Sequence, residues 1–169
     1  MPIPIERLLM EIGTRLGDET SRFAASITFK LYEAAKGRGD ERAGEYLERS
    51  YAIRKALIEA DAAGPTGVVR SDHADAIWCC IALCNRRALP RDERVRWANQ
   101  AVQHLSALKH LVASDEADAL VATVEGALEH TLSGLAETRE QGIVHLQNAI
   151  AANTRAHRAL PGHRYIQYS

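Results

Sequence analysis

Apolar residues in this chain recur every three or four positions, stretch after stretch, and nowhere alternate with polar ones over the length of a strand. A period near 3.6 gathers them on one side of a helix, so each stretch reads as an amphipathic helix with one face to bury. Ile5, Leu8, Leu9, Ile12 and Leu16 form the first stripe, and Phe23, Ile27, Leu31 and Ala35 the second. Ala43, Leu47, Tyr51 and Ile53 follow, then Ile77, Trp78, Ile81 and Cys84, then Val95, Ala98, Val102, Leu105 and Leu108. Leu120, Val121, Val124 and Leu128 make the sixth, and Ile143, Leu146, Ala149 and Ile150 the seventh, all expected to face inward. Composition agrees: there are 28 Ala but only 2 Phe, and Ala is the best helix former.

Breakers and caps divide the stripes. Gly17, Gly37-Arg-Gly39, Gly64-Pro65-Thr66-Gly67, Leu89-Pro90, Gly134 and Pro161-Gly162 interrupt the pattern. Asp18, Asp40, Ser71 or Asp72, and Ser114 stand where a side-chain oxygen would take up free N–H groups of a first turn. The chain therefore reads as one all-α domain of about seven helices. Residues 1–17 are a capping helix, 18–62 a first helix hairpin, 63–71 a linker, 72–112 a second hairpin, 113–160 a third and 161–169 a tail. With 169 residues it can bury about 70% of its unfolded surface in one core.

Charge and hydropathy exclude several classes. No apolar run approaches the roughly 18 residues of a membrane helix. A net charge of −1 argues against a non-specific nucleic-acid binder. Glu6 and Glu11 interrupt what would be the apolar region of a secretion signal, so a cytoplasmic protein is expected. Cys79, Cys80 and Cys84 lie within one short segment, an odd count that is no disulfide framework. They read as small buried hydrophobes, with Arg86 and Arg87 near enough in sequence to keep a reactive thiol in view.

The second helix of each hairpin carries a small–large–small series at spacings of four then three. These are Ala43–Leu47–Ser50, Ala98–Val102–Leu105 and Gly142–Leu146–Ala149. The first helices offer Trp78–Ile81–Ala82 and Val124–Ala127–Leu128, with Ile27–Lys30–Leu31 as the weaker counterpart. In this the chain resembles tetratricopeptide repeats, helix–turn–helix units with such series on both helices. Gly39-Asp-Glu-Arg-Ala43-Gly-Glu-Tyr-Leu47-Glu-Arg-Ser50 is the segment most like one of their second helices. The resemblance spans residues 20–159, but the three series begin at residues 43, 98 and 142, not at one fixed period. It implies a right-handed superhelix of three stacked antiparallel hairpins, capped by residues 1–17, with the first helices lining a concave groove. An alternative use of the first stripe is a homodimer contact, and an alternative architecture is an irregular helical bundle.

A groove of that kind suits a protein or peptide segment. Counting from the inward slots, it would be lined by Tyr32 and Lys36, by Leu83, Arg86 and Arg87, and by Glu125 and Glu129. Arg86 and Arg87 would recognise charge, Tyr32 and Leu83 would give apolar contact, and Arg91, Arg94 and Arg96 would extend an anion-binding patch, since guanidinium forks grip carboxylate or phosphate. The plainer reading of this Arg cluster is a solvated turn paired with Asp92 and Glu93. The chaperone-tail clamp of some tetratricopeptide proteins is not matched, with only Lys36, Asn85 and Arg86 near its pattern.

The expected function is a non-catalytic adaptor with no cofactor and no metal. The seven His are scattered, without the paired spacing that aims two imidazoles at one ion. One catalytic alternative stays open. Ribonucleases of the HEPN family are all-α and place His four to six residues after Arg, as do Arg139…His145 and Arg158…His163. With 17 Arg and 7 His, about two such matches arise by chance. A third reading is a purely structural oligomerisation module.

Overall fold

The computed structural model describes residues 22–60, 66–112 and 115–159. They form six α-helices and no strand: α1 (Arg22–Gly37), α2 (Ala43–Ala60), α3 (Thr66–Cys84), α4 (Arg91–His110), α5 (Asp115–Ser133) and α6 (Arg139–Ala159). No helix among these residues is long and apolar enough to cross a membrane. The expected capping helix at 1–17, the tail at 161–169, and the caps Asp18 and Ser114 lie outside the described residues. The chain divides into two compact units, residues 1–72 and 73–169, and the division falls inside α3.

In the first unit α1 and α2 form a hairpin. Its inner face is built from Ala25, Leu31 and Ala35 on α1 and from Ala43, Leu47 and Tyr51 on α2, all buried. The series Ala43–Leu47–Ser50 is buried at all three positions, and Ser50 Oγ donates to the Ala25 carbonyl at 2.9 Å. Phe23, expected inward, is 54% exposed, while Ile27 and Leu31 further along the same stripe are buried. Lys30, the poor fit in its series, is exposed and pairs with Glu33 at 2.6 Å.

The turn between α1 and α2 is set by two residues. Gly39 adopts φ +69°, a left-handed conformation that costs other L-residues free energy. Asp40 then caps: its Oδ1 accepts the Arg42 N–H at 2.9 Å and its Oδ2 lies 2.8 Å from Arg42 Nη2. The Arg42 side chain, bonding to the carboxylate, holds the Asp40 pKa below its ordinary 3.8.

The expected linker at 63–71 is shorter than the sequence reading gave it, because α3 begins at Thr66. A single Gly67 weakens a helix by only about 1 kcal/mol. Buried Val69 contributes apolar area against that cost. Asp72, expected as an N-cap, sits a turn and a half inside the helix and is almost wholly buried. Its Oδ2 accepts from Arg22 Nε at 2.9 Å, and its Oδ1 lies 3.4 Å from buried Arg54 Nη1. Arg54 Nη2 also reaches Ser26 Oγ at 3.3 Å. One buried carboxylate thus ties α1, α2 and the start of α3.

In the second unit the core holds Ile77, Leu83, Leu108, Val124 and Leu128, together with all three cysteines. The helices α5 and α6 pair along their lengths, and α4 packs on α5. A short turn, in which Gly134 N–H donates to Thr131 O at 3.1 Å and Leu135 N–H to Leu132 O at 3.0 Å, closes α5. A reciprocal cap then opens α6: Thr138 Oγ1 accepts the Gln141 N–H at 3.2 Å, while Gln141 Oε1 accepts the Glu137 and Thr138 N–H groups at 3.1 and 3.3 Å.

Two of the small–large–small series are not buried as expected. Val102 is 45% exposed and Leu146 is 42% exposed, although Ala98, Leu105 and Ala149 are buried. The buried arc runs through Ala98, Ala101, Leu105 and Leu108 in α4 and through alanines alone in α6, and the large middle residue falls on its shoulder.

Candidate functional site

The arginine cluster is split between two roles. α3 ends at Cys84 and α4 starts at Arg91, with Pro90 before it and Asp92 and Glu93 in its first turn, where the helix dipole favours them. Arg94 folds back and donates from Nε to the Cys84 carbonyl at 2.5 Å, and Cys84 Sγ donates to the Arg94 carbonyl at 3.3 Å. Arg91 Nη2 donates to the Leu135 carbonyl at 2.8 Å, and its Nη1 lies 3.6 Å from Glu137 Oε1. These arginines answer carbonyls that the ends of α3 and α5 leave without partners, over an apolar cluster of Cys84, Ala98 and Leu135 edged by Trp97 and Leu132. The Arg96 guanidinium stands 5.9 Å from the Trp97 ring centre. Arg91 and Arg94 therefore clasp the chain to itself. Arg86, half-buried, and Arg87, exposed, lie in the turn after α3, and neither side chain makes an ion pair among the described residues.

Tyr32, Leu83, Glu125 and Glu129, assigned to a groove, are taken within their own units. Leu83 has no exposed surface and Tyr32 is buried, so neither side chain offers apolar contact to a partner. Lys36 is exposed, with its Nζ 5.8 Å from the Tyr32 ring centre. Glu125 and Glu129 lie on α5, and both are engaged within the unit. Glu125 takes Lys109 of α4 at 2.5 Å and Arg155 of α6 in a short pair, and Glu129 takes His145 Nδ1 of α6 at 2.7 Å and Asn148 Nδ2 at 3.4 Å. The sequence pattern does not separate a charge offered to a partner from one satisfied by the next helix, because both look alike along one strand of text.

Titratable groups are spread through the second unit without converging. Burial pushes the Cys80 thiol far up and the Cys84 thiol from 9.0 to about 11, the Arg94 charge opposing the latter. Both stay protonated at neutral pH and are poor nucleophiles. His73 and His104 face each other with Nδ1 atoms 3.1 Å apart, one ring donating and the other accepting. No group of three or more His, Cys, Asp or Glu suited to hold a metal ion occurs among the described residues. Of the Arg–His spacings, Arg139 and His145 both sit on α6, about 120° apart around it, and His163 lies outside the described residues.

The feature that sequence reasoning missed is the outer face of α6. Its buried residues are Ala149, Ala152 and Ala156, all small. Its larger aliphatic residues are exposed: Ile143 is 44% exposed, Val144 53%, Leu146 42% and Ile150 67%. Ile143, Leu146 and Ile150 fall within about 60° of one another around the helix, and roughly 120° from the alanine arc. The helix sits this way round because alanines let it approach α5 closely, which brings His145 and Arg155 onto Glu129 and Glu125. At that approach a side chain on Gly126 of α5 would collide with Asn153. The available signal was the alanine periodicity at 149, 152 and 156, which is itself a helical face.

No family model, no curated protein and no solved structure matches this chain.

Proposed function

We propose that the chain is a non-catalytic protein-interaction module, and that its contact surface is the outer face of α6. The observation that carries this reading is the inversion of that helix, with alanines inward and Ile143, Leu146 and Ile150 together toward solvent. A contiguous apolar strip on the surface costs solubility and is characteristic of surfaces that meet another protein. Arg86 and Arg87 are a second element of the same reading, since their guanidiniums make no ion pair among the described residues and suit an acidic segment of a partner. The tetratricopeptide-like relationship belongs to this proposal for the α1–α2 hairpin, where the Ala43–Leu47–Ser50 face is buried throughout. A reducing compartment fits three buried cysteines, none of them in a disulfide.

The test is cross-linking in cells of the tagged chain and of an Ile143→Asp/Ile150→Asp variant, with the captured proteins quantified by mass spectrometry. Both residues are exposed, so the variant keeps its fold. Loss of specific cross-linked species in the variant supports the reading, and an unchanged set removes it.

A second reading, a ribonuclease, draws on one observation. Glu129 holds His145 at Nδ1, which fixes the ring and leaves Nε2 for acid–base work. Against it, Arg139 lies on a different side of α6. Purified chain that cleaves RNA, with cleavage abolished by His145→Ala, would establish it.

A further inference from the structure

We propose that His73 and His104 form a two-ligand site for a divalent transition-metal ion of the zinc class, which fastens α3 to α4. The site is independent of the interaction-module reading and makes no use of the α6 face. It begins from two imidazoles that different helices bring together. The Nδ1 atoms of His73 and His104 are 3.1 Å apart, their ring centres 5.2 Å apart and their planes inclined by 60°. His73 is 7% exposed, and His104 is partly exposed. Buried Ala74 and Ile77 flank the first on its helix, and buried Ala101, Leu105 and Leu108 the second, so core packing fixes the two positions from which the rings project. The spacing in sequence conceals the pair, because residues 73 and 104 meet only when α3 and α4 pack.

These separations suit a single ion. Two imidazole nitrogens at the usual zinc distance and the tetrahedral angle stand about 3.3–3.4 Å apart, with ring centres about 5.1–5.3 Å apart. The pair therefore needs to open by only about 0.2–0.3 Å at the nitrogens. Without an ion, one Nδ1 donates its proton to the other. When an ion binds, that proton moves to Nε2 of its own ring, both Nδ1 lone pairs turn to the metal, and both imidazoles stay neutral. Imidazole donors suit zinc, nickel and copper, whereas magnesium and calcium take oxygen. The neighbouring thiols do not compete, because burial keeps Cys80 and Cys84 protonated at neutral pH and a metal binds the thiolate. Asp75, two positions after His73, projects about 160° away round α3. No third His, Cys, Asp or Glu joins the pair among the described residues, so water completes the tetrahedron. Such an ion exchanges readily, unlike a structural zinc enclosed by four protein ligands.

The experiment is calorimetric titration of zinc ion into the full, untagged, metal-free chain, with the imidazole nitrogen resonances followed by NMR. Wild type is expected to take up one equivalent, with the Nδ1 resonances of both His73 and His104 shifted. His73→Gln and His104→Gln should each weaken binding by at least about tenfold, since losing a ligand costs no less than losing the partner that orients one. His130→Gln, at an exposed imidazole of α5, should leave binding unchanged. Zinc should raise the melting temperature of wild type and not that of the His73→Gln/His104→Gln variant, because an ion held between α3 and α4 binds only the folded chain. A wild-type chain that takes up no zinc overturns the proposal and leaves the pair a plain hydrogen bond. Uptake that survives in the double variant overturns it as well, because the ion then sits elsewhere. Where a variant loses its helical dichroism, the wild-type resonances decide: shifts at both Nδ1 atoms uphold the site, and unmoved ones overturn it.

Discussion

Ala149 and Ile150 are neighbours in sequence and opposites in environment: Ala149 is 5% exposed against α5, while Ile150 is 67% exposed on the far shoulder of the same helix. The order of hydrophobicity predicts the reverse. What decides is volume: the face that α6 turns to α5 carries Ala149, Ala152 and Ala156, and the two helices approach closely enough that a side chain on Gly126 would collide with Asn153. Ala149→Leu should therefore overpack the contact and destabilise the chain by about 1–3 kcal/mol. Ile150→Ala should change stability by less than about 0.5 kcal/mol. Urea unfolding of the two variants checks this, and equal losses would mean that Ile150 is packed.

Asp72 carries the first unit's polar core. Removing its carboxylate takes an ion pair from the buried Arg54 guanidinium and a 2.7 Å partner from Arg22. Asp72→Ala should cost about 3–5 kcal/mol, the range for breaking one side of a buried pair. Chemical denaturation measures it. A loss below about 1 kcal/mol, the size of a surface ion pair, would show that water reaches the site.

The arginine cluster should divide on mutation as it divides in space. Arg94→Ala removes a charge-assisted hydrogen bond to the end of α3, and Arg91→Ala one to the end of α5, each worth about 1.5–3 kcal/mol. Arg86→Glu/Arg87→Glu should leave stability within about 0.5 kcal/mol of wild type. Thermal melts of the three variants give the comparison. A melting point for the double reversal as low as that of Arg94→Ala would place Arg86 or Arg87 in the same clasp.

Alkaline pH should destabilise the second unit through its thiols. The Cys84 pKa is raised in the folded chain, from 9.0 to about 11, because burial opposes the thiolate. The unfolded chain therefore releases this proton first. The stabilising contribution is complete below pH 9 and is lost as pH rises from 9 through 11, by roughly 2 kcal/mol at the upper end. Urea midpoints between pH 8 and 11 should fall more gently for Cys84→Ala than for wild type, and parallel slopes would remove Cys84 as the cause. At neutral pH a thiol reagent should label Cys79, Cys80 and Cys84 only as fast as the chain opens.

How much of this was legible beforehand varies by element. The hairpin of α1 and α2 was, because Gly39 and Asp40 have side-chain and backbone properties that act locally, and because Ala43, Leu47 and Ser50 share a face whatever packs on it. The start of α3 was not, since a Gly-Pro-Thr-Gly run looks like an interruption until buried Val69 and Asp72 are seen holding the helix on. Likewise Leu83 and Tyr32 have the composition of a binding groove and the location of a core.

By itself the sequence determined that the chain is helical, where most helices begin and end, and which turn needs a left-handed glycine. Those are properties of a few residues and the backbone between them, so they can be read in order. Only the tertiary structure decided which side of α6 faces in, that Glu125 and Glu129 are spent on Lys109, Arg155 and His145, and that Arg91 and Arg94 answer carbonyls while Arg86 and Arg87 do not. Those depend on how closely one helix approaches another and on which charge stands across the gap, and neither distance is written along the chain.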